Sequence, residues 1–206
     1  MMEKAALLES LKAKIAGLDM PLKSSAKNLV FGKGNPDSKL FFVGEAPGEQ
    51  EDIQGLPFVG AAGKELDKLL KSIGLSLEEV YIANILKYRP PMNRAPSPEE
   101  IKAHTPYLVE QIKIIQPKII ITLGNFSTKF VLAGFSAEKM ESIEGITKLH
   151  GKEFTVSLDG QNFLVVPLFH PAAMLHRPPL RPLLEEDFKK LKDILSENKE
   201  HQKKLF

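Results

Sequence analysis

Residues 43–63, VGEAPGEQEDIQGLPFVGAAG, combine several glycines with acidic side chains and Phe58, directly after a short apolar run. The acids are Glu45, Glu49, Glu51 and Asp52. A loop that binds phosphate uses backbone N–H groups and positive charge, so this many carboxylates argue against one. Residues 60–65, GAAGKE, place two residues instead of four between the glycines, and Glu65 stands where a P-loop needs Ser or Thr. The stretch is therefore not a nucleotide-binding P-loop, and its acids need another role.

Two further segments place polar side chains next to apolar ones. Asn84 interrupts the apolar segment 80–86, VYIANIL, and KYRPPMN follows it. His170 opens the segment HPAAMLHR, after the apolar run 163–169. An amide inside an apolar strand needs a polar partner, and a histidine at a strand end can exchange a proton near neutral pH. Both residues are candidates for a binding or catalytic site.

The apolar pattern predicts the elements that must position these side chains. It predicts strands at residues 40–43, 80–86, 118–123, 155–158 and 163–168. It predicts helices at residues 3–16, 64–73, 98–115 and 184–195, and one that begins after Gly124. Strands that alternate with helices favour a parallel sheet covered on both faces. We expect an α/β fold with three α/β/α layers around a central, mainly parallel four-stranded sheet. The expected single domain spans residues 1–206 and frays from about residue 197.

In sheets of this kind, functional sites lie beyond the carboxyl ends of the strands. The loops that should meet are those after Val43, Leu86, Leu123 and Phe169. The acids, Asn84, His170 and an aromatic side chain are therefore expected to converge at one edge.

Composition narrows the classes of function. The chain has 206 residues, a formal net charge of +2 and a pI of about 8.6, a mild basicity that permits nucleic-acid binding without indicating it. It has no cysteine, which excludes disulfides, a thiolate nucleophile and any cysteine-ligated zinc or iron–sulfur cluster. The apolar runs are far shorter than the roughly 20 residues that span a bilayer. We expect a cytoplasmic monomer that does not bind membranes.

The chain resembles the family-four uracil-DNA glycosylases in four segments that occur in the family's order and spacing. They are GEAPGEQED, then GLPFVGAAG, then YIANILKYRPPMNR with SPEE, and finally FHPAAML. The resemblance runs from about residue 35 to residue 195. It implies the uracil-DNA glycosylase fold, with uracil-containing DNA as substrate and partner and free uracil as product. The implied enzyme is a DNA-repair hydrolase that flips uracil out of DNA and hydrolyses its N-glycosidic bond, leaving an abasic site.

The resemblance assigns roles to the residues that would hold the base. Phe58 would stack on the flipped uracil. Asn84 would accept a hydrogen bond from uracil N3–H and donate one to O4, a pattern that cytosine mismatches. Gly44 and Ala46 would line the pocket, and a glycine there lets the backbone approach the nucleotide closely. His170 would donate a hydrogen bond to uracil O2 as negative charge develops there.

The implied catalytic set is Glu45, Glu51, Asn93 and His170. The first three would lie near the attacking water and the sugar, where a carboxylate can orient water and stabilise positive charge. The sequence does not select one general base among them. Either glutamate could instead cap the N-terminus of the following helix.

The resemblance also implies a surface that binds DNA. Leu175, with Met174 beside it, would be an apolar wedge that fills the gap left by the flipped base. Candidate phosphate contacts are Lys87, Arg89, Arg94, Arg177 and Arg181.

One feature departs from the family. Family-four enzymes typically hold a [4Fe–4S] cluster with four cysteines, and the matching positions here are Gly17, Met20, Tyr88 and His104. None of them can supply a thiolate, so we expect no iron–sulfur cluster, no other metal and no cofactor. Because the cluster normally ties the N-terminal segment to the loop around Tyr88, packing must replace it. We predict that Met20, Tyr88 and His104 form a small packed cluster.

Two alternatives to the glycosylase interpretation stay open. One is a catalytically inactive protein of the same fold that binds DNA or damaged bases, which the missing cluster motivates. The other is an enzyme of the same α/β class that acts on free nucleotides or nucleosides. The intact GEAPG and HPAAML segments favour the glycosylase.

Overall fold

A computed structural model describes residues 3–203, with side chains described for residues 3–196. The helices in this part of the chain are α1 (Lys4–Gly17), α2 (Glu49–Gln54), α3 (Ala61–Ser72), α4 (Pro98–Ile115), α5 (Asn125–Leu132), α6 (Ile146–Leu149), α7 (Pro171–His176) and α8 (Arg181–Lys203). The strands are β1 (Lys33–Gly34), β2 (Leu40–Gly44), β3 (Tyr81–Asn84), β4 (Ile119–Leu123), β5 (Phe154–Leu158) and β6 (Gln161–Leu168). Short 3₁₀ turns lie at Pro91–Asn93, Ala137–Ser142 and Pro178–Leu180. Within residues 3–203, no helix combines the length and apolar character needed to cross a bilayer.

The sheet has six strands in the order β1-β3-β2-β4-β6-β5. Its four central strands run parallel, as predicted, and both edge strands are antiparallel, so the predicted four-stranded sheet is wrong in its strand count. The sequence did not reveal β1 because two residues, Lys33 and Gly34, are too short for an apolar pattern. Strand β5 joins β6 through a turn at Asp159 and Gly160, whose φ values of 50° and 82° suit a tight hairpin.

Two hydrophobic cores lie on opposite faces of the sheet, and β2 contributes to both. Phe41 and Val43 face the core that contains buried residues of α1, α4 and α5. Leu40 and Phe42 face the core that contains buried residues of α3, α7 and α8. Alternate residues of a strand point to opposite faces, so a strand covered on both sides is apolar throughout. The expected three-layer arrangement is confirmed.

The helix boundaries follow local capping chemistry. Ser97 caps α4: its hydroxyl accepts a hydrogen bond from Glu100 N at 3.2 Å, and Ser97 N donates to Glu100 Oε2 at 2.8 Å. The N-terminal helix lies at Lys4–Gly17, one residue later than predicted. The last helix, α8, spans Arg181–Lys203 and is longer at both ends than the predicted 184–195.

The predicted cluster of Met20, Tyr88 and His104 is present. All three are buried; Met20 and Tyr88 belong to the same core, and the rings of Tyr88 and His104 meet edge-on at 6.1 Å. His104 Nδ1 accepts from Lys87 N at 3.0 Å, which leaves Nε2 to donate to Pro21 O at 3.1 Å. One imidazole on α4 thus ties the segment after α1 to the loop after β3.

Replacing His104 with alanine is expected to lower the free energy of unfolding by about 2–4 kcal/mol, because the Lys87 N–H and the Pro21 carbonyl lose their partner. His176→Ala, at an exposed position, is the control and should cost less than about 0.5 kcal/mol. Urea denaturation near neutral pH measures both. A loss for His104→Ala no larger than the control's would contradict the role of this imidazole.

The contribution of His104 should also depend on pH. Burial lowers the pKa of His104 from 6.5 to about 4 in the folded protein. The unfolded chain therefore takes up this proton first as the pH falls from 6.5 towards 4, and the folded state loses stability in that window. We expect the stability difference between the wild type and His104→Ala to shrink on acidification. A difference that grew between these pH values would be inconsistent with a buried neutral imidazole.

Candidate active site

The carboxyl ends of the four parallel strands bring the predicted site residues to one edge of the sheet. Asn84 is the last residue of β3, and Gly44, its partner in the sheet, is the last residue of β2. Gly124 follows β4, and His170 lies two residues beyond β6. With adjacent strands about 4.8 Å apart, the ends of β3 and β6 stand roughly 14 Å from each other. Strands β2 and β4 lie between these two ends.

Asn84 supplies a buried polar group without a partner. The residue is 2% exposed, and within residues 3–196 its Oδ1 is the one buried side-chain atom that has no hydrogen bond. A Cβ on Gly44 would lie 2.2 Å from this oxygen and 2.9 Å from the ring of Phe58. Only glycine leaves room here, so the amide, the ring and the bare backbone meet at one point. A buried acceptor left unsatisfied costs about 1–3 kcal/mol, which indicates that a ligand donor is meant to reach it.

Lys87 fixes the backbone of Asn84. Strand β1 pairs with β3 only at Tyr81 and Ile82, so the main-chain carbonyl of Asn84 has no strand partner on that side. Lys87 Nζ donates to this carbonyl at 2.8 Å and to Gln111 Oε1 at 2.6 Å. Burial lowers the pKa of Lys87 to about 7.

Phe58 is fixed in an unusual backbone conformation. Its φ is 52°, a left-handed value that a bulky residue adopts only when its surroundings impose it. Lys33 Nζ donates to Phe58 O at 3.0 Å, while Glu51 Oε1 accepts from Val59 N at 2.9 Å and from Gly60 N at 2.7 Å. The phenyl ring lies 5.7 Å from the imidazole of His170, tilted by 30°. The ring of Phe58 is therefore held in place next to both Asn84 and His170.

His170 is held as a neutral hydrogen-bond donor. It caps α7, and its Nδ1 accepts from Ala172 N at 3.1 Å, so the proton of the neutral ring sits on Nε2. Burial lowers its pKa to about 4, opposed by the negative charge of Glu51. Gly124 lies against it, with φ at +90°, and a Cβ there would stand 3.1 Å from His170 Cβ. Near neutral pH, Nε2–H can donate to an atom in the pocket.

The four acids of the first loop have separate surroundings. Glu51 is committed to the backbone of the Phe58 loop, and Asp52 is buried, where Oδ1 accepts from the N–H groups of Lys27 and Asn28. Glu49 is exposed. The carboxylate of Glu45 is half-buried and makes no hydrogen bond or ion pair with the described residues, and burial raises its pKa. Glu45 is therefore the acid that is free to act on a bound water.

The remaining predicted base-binding and catalytic residues, Ala46 and Asn93, lie in the loops after β2 and β3. Ala46 is half-buried beside Glu45 and packs against the core of α1 and α4. Asn93 lies on the exposed loop after β3, where its Oδ1 accepts from Arg89 Nε at 2.8 Å.

Two of the residues predicted to contact DNA are placed where they cannot reach it. Lys87 is fully buried, so the predicted phosphate contact is wrong. Its Nζ donates a hydrogen bond to the main-chain carbonyl of Asn84 instead. Met174 is 3% exposed in the core of α3 and α8, which rules it out as a wedge, whereas Leu175 is 40% exposed. Successive helix residues point about 100° apart, so only one of this pair can face the core.

The four arginines predicted to bind phosphate differ in solvent exposure and in their hydrogen-bond partners within the protein. Arg177 is exposed, and Arg89 is half-buried beside Asn93. Arg94 donates to Glu100 Oε2 at 2.8 Å, and Arg181 donates to Glu65 Oε2 at 3.3 Å. Both carboxylates are largely buried and the Arg94 pair is bidentate, whereas each guanidinium-bearing side chain is about half exposed, which leaves a part that an anion can reach.

The sequence did not identify Lys33 and Gln111. Both help to position residues of the site, and neither lies in one of the four motif segments. Lys33 belongs to the two-residue strand β1, and Gln111 lies in the middle of α4, where its Nε2 donates to Phe31 O at 3.0 Å. Neither has a local signal beyond a polar residue in a partly apolar segment. Their partners are distant in the chain, so only folding shows the role.

The positions that match the family's cluster ligands do not fit an iron–sulfur cluster. Both ring nitrogens of His104 are used by the backbone, Met20 and Tyr88 are packed in the core, and Gly17 has no side chain. Across residues 3–196, no group of three or more His, Asp or Glu side chains is arranged to hold a metal ion.

Asn84→Ala is expected to change the free energy of unfolding by less than about 1 kcal/mol, because Oδ1 makes no hydrogen bond in the folded protein. Gln111→Ala removes an equally buried amide whose oxygen and nitrogen are both bonded, and should cost about 2–4 kcal/mol. Thermal or urea denaturation compares the two amides directly. Equal losses would show that the Asn84 amide supports the fold and not a ligand.

Comparisons with known proteins agree with this geometry. The profile of the Uracil DNA glycosylase superfamily matches residues 31–195. A Type-4 uracil-DNA glycosylase of Saccharolobus solfataricus is 52% identical over 171 residues, which are 82% of this chain and 77% of the relative. Those of Sulfurisphaera tokodaii and Archaeoglobus fulgidus are 49% and 46% identical, over 81% and 84% of this chain and 74% and 85% of the relatives. Similarity of this extent shows that the chain belongs to the uracil-DNA glycosylase superfamily.

Proposed function

We propose that this protein is a uracil-DNA glycosylase that flips uracil out of DNA and hydrolyses its N-glycosidic bond, releasing free uracil and leaving an abasic site. The observation that carries the proposal is the unsatisfied Oδ1 of Asn84, which shares the wall formed by Phe58 with the neutral donor His170. An acceptor and a donor on two sides of a flat apolar ring suit a planar base with polar edges. The relatives carry the same activity in their names.

Discrimination between bases follows from the amide of Asn84. Its oxygen accepts from uracil N3–H and its nitrogen donates to O4. Cytosine presents an acceptor at N3 and an amino group in place of O4, so both contacts become mismatched. A buried amide that loses its bonds to the wrong base makes that base costly to bind, which is the most selective kind of discrimination.

His170 stabilises the departing base. As the glycosidic bond breaks, electrons move into the uracil ring and negative charge builds on O2. Nε2–H of the neutral imidazole donates to O2, and this bond strengthens as the charge develops, so it lowers the energy of the transition state more than that of the ground state. Because the donor is fixed by Ala172 N, no reorganisation is needed during the reaction.

Glu45 is the proposed partner of the attacking water. Its carboxylate is unoccupied by other described residues, and the raised pKa makes it a better base than an exposed glutamate. Its negative charge also favours the oxocarbenium-like sugar. Glu51 contributes indirectly by holding the loop of Phe58, and Asn93, on the loop after β3, is the proposed contact to the sugar.

DNA would approach over the exposed loops at the same edge. Leu175 is the proposed wedge, and Arg89, Arg94, Arg177 and Arg181 are the proposed phosphate contacts. The proposed enzyme acts as a monomer and needs neither metal nor cofactor, since each step above uses only side chains of this chain.

Purified protein should release uracil from a uracil-containing oligonucleotide, seen as strand breaks after alkali. Asn84→Ala and His170→Ala should each lower the single-turnover rate by about 10²–10³-fold, the usual effect of removing one preorganised contact to the transition state. His176→Ala is the matched control on the same helix as the His170 cap and should leave the rate unchanged. Undiminished cleavage by both pocket variants would reject the assigned roles. Tight binding of uracil-containing DNA by the wild type without release of uracil would support the inactive-reader alternative.

The acid limb of the pH–rate profile should come from Glu45 and not from His170. Burial raises the pKa of Glu45 above 4.5, so the rate should rise with pH as this carboxyl ionises. The pKa of His170 is about 4, so this imidazole stays neutral above that range and should produce no inflection near pH 6.5. In Glu45→Gln, the slower rate should lose the acid limb. An inflection near pH 6.5 that disappears in His170→Ala would contradict the neutral imidazole.

A further inference from the structure

We propose that Met92 is a second apolar wedge for duplex DNA, standing on the flank of the pocket opposite Leu175. The inference rests on the proposed function, since it concerns how the same enzyme grips the duplex around the extruded nucleotide. It adds a contact on the Asn84 side to the one expected on the His170 side.

Met92 is the most exposed large apolar side chain in the described part of the chain. It is 92% exposed, whereas the other exposed large apolar residues, Ile53, Leu56, Leu175 and Leu183, are 40–45% exposed. Met92 also has a φ of 54°, and the next residue, Asn93, has a φ of 55°. Left-handed conformations are costly for side chains of this size and persist only where the surroundings impose them, often at functional sites. The fold thus pushes an apolar side chain into water in a strained conformation.

The loop that presents Met92 is held on both sides. Pro90 and Pro91 precede it and restrict the backbone. Arg89 Nε donates to Asn93 Oδ1 at 2.8 Å across the turn. On the far side, Arg94 is paired with Glu100, the residue that completes the cap of α4. A side chain displayed by a loop anchored at both ends is preorganised for contact, because little freedom is lost on binding.

Met92 and Leu175 lie on loops that follow two different parallel strands of the sheet. Met92 follows β3, beyond Asn84, and Leu175 follows β6, beyond His170. Strands β2 and β4 lie between these two, so the loops emerge from strand ends roughly 14 Å apart, with the pocket between them. A nucleotide that enters the pocket passes between the two apolar side chains.

The surroundings of both side chains fit a duplex. Arg89 and Arg94 flank Met92, and Arg177 follows Leu175, so each apolar tip lies beside cationic groups that can meet phosphates. Apolar side chains that enter a base step fill the space left by unstacking. Methionine, unbranched and flexible, fits an irregular gap of this kind. Single-stranded DNA has no continuous stack to hold open, so the contact of Met92 should matter only in a duplex.

The test compares excision of uracil from a duplex with excision from the same strand alone. Met92→Ala should lower kcat/KM on the duplex by about 10-fold and change it on the single strand by less than about 2-fold, and Met92→Leu should restore the duplex value. Leu183→Ala, which shortens an exposed apolar side chain on α8, is the control and should alter neither. A 2-aminopurine placed next to the uracil should brighten on binding, less so with Met92→Ala.

Four outcomes decide the matter. A selective loss on the duplex supports the wedge. Equal losses on both substrates would overturn it, because Met92 would then contact the nucleotide itself, and so would unchanged rates on both. If the wild type released uracil from neither substrate, the proposed function would fail; an active wild type with an unaffected Met92→Ala would sink this inference alone.

Discussion

Folding buries the amide of Asn84 against Gly44 and leaves its oxygen without a donor from residues 3–196. The amide stays there because its backbone is fixed by strand pairing with Gly44 and by the ammonium of Lys87, which replaces a missing edge strand. Hydrogen bonds that the backbone makes elsewhere offset the cost of the lone acceptor. Phe58 and His170 lie next to this unpaired acceptor. A base that donates a hydrogen bond to it removes the free-energy cost of leaving it unpaired.

Two loops bring the remaining groups to that amide, and each is stiffened by its own side chains. Glu51 and Lys33 hold Phe58 in a left-handed conformation, and the cap of α7 fixes the tautomer of His170. The acids of the first loop have different surroundings: Glu51 holds the Phe58 loop, Asp52 anchors the segment at residues 27–28, and the Glu45 carboxylate has no partner among the described residues. Acids with separate environments can have separate roles, because burial and hydrogen bonds set the pKa and the availability of each.

The segment after α1 is joined to the loop after β3 by packing and two hydrogen bonds. His104 ties the segment at Pro21 to the backbone at Lys87, and Met20 and Tyr88 complete the cluster. The same loop continues through Lys87 to the pocket, so the stability of this cluster and the position of Asn84 are linked through neighbouring backbone. A buried imidazole can take the place of a metal tie when both of its nitrogens have partners, since a half-satisfied ring would cost free energy.

The sequence alone determined the four parallel strands, the capped helix α4 and the edge at which the motifs meet, because apolar period, caps and strand ends are local and follow from short-range chemistry. It could not show β1, which is too short for a pattern, nor that Met174 faces the core while Leu175 faces solvent. It also could not show that Lys87 is buried, since an ammonium suits a phosphate and a set of carbonyls equally well. Only the tertiary structure decided these points. They depend on contacts between residues that are distant in the chain, such as the backbone carbonyl of Asn84 that lacks a strand partner and binds Lys87 instead.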